Sequence, residues 1–247
     1  MSDPTPEISV VVPVRDEAEN IDALLEEIHA ALHGHAFEII YVDDGSTDTT
    51  PSRLQAACGR YPELRVLHHR HSAGQSAGLA TGIRAARGTW IATLDGDGQN
   101  DPADIPKLFA RACAQDAPAL VAGLRIKRKD TALKRLSSRI ANAVRSGLLG
   151  DRTPDTGCGL KVFRREIFLR LPEFDHMHRF LPALVQRGGG GVVNVAVNHR
   201  PRAGGISKYG VMNRLWVGIV DLLGVMWLQR RALPPDIEDP EIKDRTK

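Results

Sequence analysis

Residues 89–102 read Thr-Trp-Ile-Ala-Thr-Leu-Asp-Gly-Asp-Gly-Gln-Asn-Asp-Pro. The apolar and β-branched run at 90–94 predicts a buried strand, which the following glycines end. Asp95 and Asp97 therefore leave the end of a strand two residues apart. Because residues i and i+2 of an extended chain point the same way, this stretch predicts two carboxylates that face one ligand.

The two carboxylates of this turn repel each other unless a proton or a cation lies between them. A hard divalent cation, Mg²⁺ or Mn²⁺, fits there, because it takes one or two carboxylates and completes its shell with water and phosphate oxygens. Asp95 and Asp97 are the predicted metal ligands, and the side-chain carbonyl of Gln99 is a further candidate. A purely structural turn stays open, since Asp101 is suited to cap a helix that begins at Pro102.

Strands and helices alternate on both sides of this turn. The predicted strands lie at 8–12, 37–42, 65–68, 90–94 and 120–123. The helix after the first strand has apolar residues on one face, at Ile21, Leu24, Leu25, Ile28 and Leu32. A glycine-spaced helix is predicted to end at Gly88, just before the strand that carries the acidic turn. This alternation favours a mostly parallel, Rossmann-like α/β sheet with helices on both faces.

Polar turns follow three of the predicted strands. They are Pro-Val-Arg-Asp-Glu at 13–17, Asp-Asp-Gly-Ser at 43–46 and Asp-Gly-Asp at 95–97. In open parallel sheets, ligands bind at the carboxyl ends of the strands, in the crevice where the strand order reverses. We therefore expect the three turns to converge on one site.

The length of 247 residues fits one large domain or a domain with an appended segment, and the composition, 42% hydrophobic and 26% charged, is that of a globular protein. A formal net charge of +3 neither favours nor excludes a nucleic acid partner. The three cysteines form no metal-ligand spacing and suit a reducing cytoplasm. The first residues lack the basic start and apolar stretch of a signal peptide, so we expect no secretion signal.

Two helices with basic residues are predicted in the C-terminal half. The first, at about 127–149, suits an anionic membrane surface or a phosphate, and equally a solvated helix face. The second, at about 210–231, has an apolar length of roughly 21 Å, short of the roughly 30 Å hydrocarbon core. It is expected to lie at a bilayer surface, dock on a partner or pack on the protein's own core. We predict one domain over 1–231 and a flexible tail over 232–247.

Six motifs occur together in this chain. They are Val-Val-Pro-Val-Arg-Asp-Glu, Val-Asp-Asp-Gly-Ser-Thr-Asp, Gly-Gln-Ser-Ala-Gly-Leu, Leu-Asp-Gly-Asp-Gly-Gln, Asp-Thr-Gly-Cys-Gly-Leu-Lys and His-Arg-Pro-Arg-Ala-Gly-Gly-Ile-Ser-Lys-Tyr-Gly. In them the chain resembles family 2 glycosyltransferases of the GT-A fold. Within that family it is similar to the branch that transfers sugars to polyprenyl phosphates, as dolichol-phosphate mannosyltransferases do. The resemblance covers roughly residues 7–231.

The resemblance implies roles for individual residues. The nucleoside half of the donor would be bound by Pro13, Val14, Arg15, Glu17 and Asp44, and Asp95 would complete the nucleotide-sugar site. The metal on the diphosphate would be held by Asp95, Asp97 and Gln99. Cations against the diphosphate and the lipid phosphate would be Arg125, Arg200, Arg202 and Lys208. The catalytic residues would be Asp95, Asp97, Arg125 and Lys208.

The resemblance also implies the reaction and its setting. A GDP- or UDP-sugar would donate its sugar to dolichyl or undecaprenyl phosphate, with inversion and with Mg²⁺ or Mn²⁺ as cofactor, for cell-envelope glycan synthesis. The enzyme would be cytoplasmic and peripheral at the inner face of the cytoplasmic membrane, with no nucleic acid partner. A membrane-protein partner and a homo-oligomer both stay open, as do the nucleotide, the sugar and the prenyl chain.

Three other functions remain open on the sequence. The Asp-Gly-Asp turn also occurs in haloacid-dehalogenase phosphatases, although there it normally follows an early strand. A catalytically silent membrane-docking module would use the two basic helices. A glycosyltransferase acting on a sugar hydroxyl would need a carboxylate base, for which Asp155 is the nearest candidate, or Asp155 is simply a turn residue. The histidines have no convincing ligand spacing and are predicted to be structural or at the surface.

Overall fold

The fold is described from a computed structural model, in which residues 5–126, 145–151, 153–201 and 211–231 are described. The strands are β1 (Ile8–Val14), β2 (Phe37–Asp43), β3 (Leu64–His68), β4 (Trp90–Thr93), β5 (Leu120–Arg125), β6 (Lys161–Arg164) and β7 (Val192–Val197). The helices are α1 (Ile21–Ala31), α2 (Thr50–Cys58), α3 (Gln75–Ala85), α4 (Ile105–Ala112), α5 (Arg165–Leu169), α6 (Leu181–Arg187) and α7 (Val211–Arg230). Residues 145–149 are also helical.

The described strands form one seven-stranded sheet in the order β3-β2-β1-β4-β6-β5-β7. The strands β3, β2, β1 and β4 are parallel to one another, and β5 is parallel to β7. Strand β6 runs antiparallel to both of its neighbours, β4 and β5. The predicted mostly parallel sheet is confirmed, and its strand order reverses beside β1, where the turn after β4 lies.

The apolar pattern explains how the core forms on both faces of the sheet. Strand β1 is buried along its whole length, as expected for a parallel strand covered on both sides. Helix α1 buries the predicted face at Ile21, Leu24, Leu25 and Ile28. One apolar cluster joins α1, α2 and α4 to the sheet, and a second joins α3, α6 and part of α7 to its other face.

The predicted ends of β1, β5 and α3 are wrong by two or three residues, and β5 runs to Arg125 rather than to Gly123. Strand β1 continues through Pro13 to Val14, because its pairing with β4 stops at Val11 and the missing N–H of Pro13 costs no hydrogen bond on that side. Helix α3 ends at Ala85 rather than at Gly88. The N–H of Gly88 donates instead to the Ser9 hydroxyl, and a β-carbon at position 88 would overlap the backbone of β1.

Helix α7 packs on the second apolar cluster through Val225, which is fully buried, and through Leu222 and Met226. Its opposite face exposes apolar side chains, at Ile219, Val220, Leu223 and Trp227. No helix in the described part of the chain is long and apolar enough to cross a membrane. Most of the predicted basic helix, residues 127–144, and the predicted tail lie outside the described residues.

Candidate active site

The three polar turns meet at one end of the sheet, as predicted. The backbone N–H of Asp16 donates to the Ser46 hydroxyl (2.9 Å), and the Asp16 carboxylate accepts from the N–H of Thr47 (2.7 Å). A β-carbon at Gly96 would overlap the Val14 side chain, so the turn after β4 lies directly against the end of β1. The edge at which β1, β2 and β4 end therefore forms a single site.

The Asp44 carboxylate is buried and holds the loop that leads into α3. It accepts hydrogen bonds from the Ser72 hydroxyl (2.7 Å) and from the N–H groups of Ala73 (2.8 Å) and Gly74 (2.9 Å). The Nδ1 atom of His69 lies 2.8 Å from Oδ1 of Asp44, the oxygen that also accepts from Ala73. Burial raises the pKa of Asp44, but these hydrogen bonds outweigh burial and leave the pKa below its ordinary value. Asp44 is thus an ionised anchor of this loop.

The other predicted nucleoside residues lie around the same loop. Pro13 and Val14 are buried in β1, while Arg15 is exposed and donates to the Ser72 hydroxyl (2.8 Å). The Glu17 carboxylate accepts from the Asn20 amide (2.8 Å). The structure brings Arg15 and Asp44 together through Ser72, but it does not test their contact with a nucleoside, which stays a prediction.

The Asp95 carboxylate is held by two amides and by a close backbone. The Gln75 amide donates to one oxygen (2.7 Å) and the Asn100 amide to the other (3.3 Å). Gly159 lies against the carboxylate so closely that a β-carbon there would overlap it. Burial, and then the nearby charge of Asp97, raise the pKa of Asp95. The predicted pair is therefore close enough to interact, and it is poised for a cation that relieves the repulsion.

The donor set of this acidic turn fits a magnesium or manganese ion that is shared with a substrate. No group of three or more His, Cys, Asp or Glu side chains in the described residues forms a complete metal site. Two carboxylates with room for water and diphosphate oxygens are what Mg²⁺ takes in nucleotide enzymes. The Gln99 backbone bonds Asp97 and Arg200, and its side chain stays a predicted ligand.

A cavity of about 270 Å³ opens below Asp95. Its walls come from β4, from the N-terminal end of α3, from the loop before β6 and from the segment before α6. Its lining includes Gln75, Thr93, Asp95, Cys158, Lys161, His178 and Arg179. Burial, and then the charges of Arg179 and Lys161, lower the pKa of His178 to about 3. His178 is therefore neutral at physiological pH, and its Nδ1 atom lies 2.7 Å from the Ser76 hydroxyl.

Arg125 and Asp155 form a bidentate ion pair beside this cavity. Arg125 Nε and Nη2 donate to the two Asp155 oxygens at 2.6 and 2.7 Å, and both side chains are largely buried. This geometry commits both Asp155 oxygens to Arg125, which is unsuited to a free catalytic base. Arg125 itself keeps Nη1 for another anion.

The remaining predicted cations are divided between described and undescribed residues. The Arg200 guanidinium bonds Glu27 (2.7 and 2.8 Å) and lies 2.7 Å from Asp101, so these carboxylates already neutralise it. Its predicted role toward a phosphate is not tested by these contacts. Arg202 and Lys208 lie outside the described residues.

Sequence reasoning assigned no role to several residues that complete the site. They are Gln75, Asn100, Gly159, Lys161, His178 and Arg179. Gln75, Gly159 and Lys161 lie inside the quoted motifs, and this position could have indicated that they belong to the site. His178 and Arg179 follow no motif, because only the fold brings that segment beside Ser76.

The sequence matches a family of known proteins over about two thirds of its length. Residues 9–171 match the family described as Glycosyl transferase family 2. The chain belongs to glycosyl transferase family 2. This glycosyltransferase is 39% identical over 239 residues to a dodecaprenyl-phosphate galacturonate synthase of Rhizobium johnstonii, covering 93% of the chain and 69% of the relative. It is 36% identical over 212 residues to an undecaprenyl-phosphate 4-deoxy-4-formamido-L-arabinose transferase of Pseudomonas paraeruginosa, covering 84% and 62%.

Solved structures share the fold of this glycosyltransferase at low sequence identity. Glucosyl-3-phosphoglycerate synthase of Mycobacterium tuberculosis with Mg²⁺ and UDP superposes with a TM-score of 0.69 at 19% identity, covering 91% of this chain and 79% of that one. A mannosyltransferase of Pyrobaculum calidifontis with GDP-Man and Mn²⁺ gives 0.64 at 20% identity, covering 98% and 69%. The predicted GT-A fold and enzyme class are confirmed.

Proposed function

We propose that this enzyme transfers a sugar from a nucleoside diphosphate sugar to a polyprenyl phosphate. The observation that carries the proposal is the charge distribution around the cavity. Among its described lining residues the one carboxylate is Asp95, whereas Lys161 and Arg179 are cations and Arg125 lies nearby. A phosphate acceptor is attracted by such cations and needs no base, since its second pKa is about 6.

The alternative, a sugar hydroxyl acceptor, finds less support. A hydroxyl nucleophile needs a general base within hydrogen-bonding reach. Asp155 is bound on both oxygens by Arg125, and Asp95 is the proposed metal ligand. The two curated relatives are named for transfer to dodecaprenyl and undecaprenyl phosphate, which also favours a lipid phosphate. The chain spans 69% and 62% of the length of these relatives.

We assign the donor to the edge where the three turns meet. The nucleoside would bind near Pro13, Val14, Arg15, Glu17 and Asp44, beside the loop that Asp44 anchors. Asp95, Asp97 and Gln99 would hold Mg²⁺ or Mn²⁺. When bound, the metal acts as a Lewis acid that stabilises the charge developing on the diphosphate.

Hydrogen bonds within this chain orient the side chains that would act in that step. Gln75 and Asn100 orient the Asp95 carboxylate through their amide hydrogen bonds. Asp155 fixes the Arg125 guanidinium, which can then meet a phosphate in a preset orientation. Arg200, Arg202 and Lys208 would add further positive charge against donor and acceptor. A single in-line displacement would then invert the anomeric configuration.

We further propose that the enzyme works at the cytoplasmic face of a membrane, where a polyprenyl phosphate headgroup is accessible. The exposed apolar face of α7, with Trp227 near the Arg231 guanidinium, is suited to a lipid–water interface. A partner protein on the same face remains the alternative to lipid.

The function is tested with matched acceptors. The enzyme is incubated with Mn²⁺ or Mg²⁺, a panel of nucleotide sugars, and either a short polyprenyl phosphate or the corresponding polyprenol. We expect a lipid-linked sugar from the phosphate only, and no product in EDTA. Transfer to the polyprenol, or to a sugar hydroxyl and not to the phosphate, would overturn the proposal.

A further inference from the structure

Helix α7 carries a carboxylate on the face that it buries. Asp221 comes four residues before Val225, so the two side chains lie on the same side of the helix. Val225 is fully buried, and the Asp221 side chain is only 16% exposed. Its Oδ2 atom is buried and makes no hydrogen bond within the described chain. Burying a carboxylate is unfavourable without a partner, so the apolar packing of α7 does not account for Asp221.

The partner of Asp221 is His176, which has a strained backbone. The Nδ1 atom of His176 lies 3.1 Å from Asp221 Oδ2, and its Nε2 atom lies 3.5 Å from Asp175. His176 is in the left-handed region, with φ 63° and ψ 5°. Among the described residues other than glycine, Asp16 is the second with a positive φ. Because such a conformation is costly for a residue with a β-carbon, it persists where the surrounding structure holds it.

His176 opens the short helical turn Met177–Arg179, which reaches the cavity through His178 and Arg179. The carbonyl of His176 accepts from the backbone N–H of Arg179 (3.1 Å). On the side of α3, the Ser76 hydroxyl accepts from the backbone N–H of His178 (3.2 Å). The turn is therefore held on two sides, by Ser76 of α3 and by Asp221 of α7.

Helix α7 is itself fixed to the rest of the protein by polar contacts at its C-terminal end. The Arg187 Nε atom at the end of α6 donates to the carbonyl of Leu228 (3.0 Å). The Gln229 amide donates to the carbonyl of Leu149 (2.9 Å). Together with the apolar contacts of Val225, these bonds give Asp221 a defined position relative to the cavity.

We propose that Asp221 and His176 are positioning residues for the acceptor end of the site. Through their contact, α7 holds the backbone of His176 in its left-handed conformation and so sets where Arg179 lies in the cavity. This inference rests on the proposed function, in which Arg179 is one of the cations that attract the acceptor phosphate. It gives α7 a role in transfer that does not depend on contact with lipid.

The test measures acceptor and donor affinities in Asp221→Ala and His176→Gly. Glycine adopts a left-handed backbone without strain, so His176→Gly removes the contact with Asp221 and still permits the turn. We expect each variant to raise KM for a short, water-soluble polyprenyl phosphate by about 3- to 30-fold. The dissociation constant of UDP or GDP with Mn²⁺ should stay unchanged, and the melting temperature of His176→Gly should stay near that of the wild type.

The double variant shows whether the two residues act through each other. Asp221→Ala combined with His176→Gly should raise the acceptor KM no further than either single change, because both remove the same contact. Glu166→Ala is the matched control, since Glu166 of α5 lies 3.8 Å from Arg170 in an exposed acid–base pair. This control should leave the acceptor KM unchanged.

Three results would overturn the inference while leaving the proposed function intact. They are an unchanged acceptor KM in both single variants, an equal rise in the acceptor KM and in the nucleotide dissociation constant, and additive effects in the double variant. Absence of transfer to polyprenyl phosphate by the wild-type enzyme would instead reject the proposed function itself, and this inference with it.

Discussion

Gly159 sets the position of the Asp95 carboxylate, because the backbone at this residue passes directly against it. Replacement by alanine would force the carboxylate out of its amide hydrogen bonds. We expect Gly159→Ala to lose most transfer activity and to destabilise the fold by about 1–3 kcal/mol, as overpacked sites do. Activity and thermal unfolding measure the two effects.

Gly59→Ala is the control for this substitution. A β-carbon at Gly59 would have its nearest neighbour, the Ala56 carbonyl oxygen, at 3.7 Å. This variant should keep both activity and stability. Normal turnover in Gly159→Ala would show that Asp95 does not need its observed position.

Asp97 tests the metal assignment at the level of one side chain. Asp97→Ala should abolish transfer and weaken Mn²⁺ binding, while the melting temperature stays near that of the wild type, since Asp97 is partly exposed. Asp116→Ala, at an exposed loop position, is the control and should keep both Mn²⁺ binding and transfer. A purified Asp97→Ala enzyme with near-normal turnover would refute the metal site.

His178 makes stability depend on pH. Burial lowers its pKa from 6.5 to about 3 in the folded state, so the unfolded chain binds this proton more readily at intermediate pH. Stability from this group is therefore present above about pH 6.5 and is lost as the pH falls toward 3. Between pH 7 and pH 4 the melting temperature should therefore fall less steeply for His178→Gln than for the wild type. Identical slopes for the two proteins would contradict this.

At the scale of elements, α7 presents two different faces. Val225 is fully buried, whereas Leu223 and Trp227 are 58% and 60% exposed. If the outer face lies on lipid, Leu223→Ser and Trp227→Ser should each reduce sedimentation with anionic vesicles several-fold, because apolar burial and basic residues drive such binding.

Leu169→Ser is the matched control for vesicle binding. Leu169 is also an exposed leucine, 43% accessible, but it lies on α5. Its replacement should leave sedimentation unchanged. Vesicle binding that survives both α7 substitutions would favour a partner protein as the occupant of that face.

Elements with a clear apolar period were predictable from the sequence. Strand β1 and helix α1 follow their patterns, because burial of one stripe or of a whole strand leaves a strong signal. Strand β6 has only two apolar residues, Val162 and Phe163, between two basic ones, and its antiparallel direction depends on strands far away in the chain. The end of α3 was also not predictable, since Glu38 and Ser9 on other strands bind the residues that follow it.

At the scale of the whole molecule, the site is assembled from segments distant in sequence. The acidic turn and its convergence with two other turns were predictable, because topology places strand ends together. The partners of Asp95 were not, since Gln75 and Gly159 approach it only in the folded sheet. The Arg125–Asp155 pair likewise joins the end of β5 to the loop before β6.

A ligand that binds such an assembled site should stabilise the entire fold. A nucleoside diphosphate with Mn²⁺ at about 100 times its dissociation constant should add about 2.7 kcal/mol to the free energy of unfolding. The melting temperature should rise with UDP or GDP plus Mn²⁺, and EDTA should cancel most of the rise. No rise with either nucleotide in the presence of Mn²⁺ would reject the assigned donor site.

The pairing of Thr93 with Lys161 has a consequence for how this chain can vary. Successive side chains of a strand alternate between its faces, so a one-residue deletion between Gly159 and β6 would turn the ammonium toward the opposite helical layer. Homologues that keep a basic side chain in this cavity should therefore conserve the number of residues between the glycine at 159 and the start of β6.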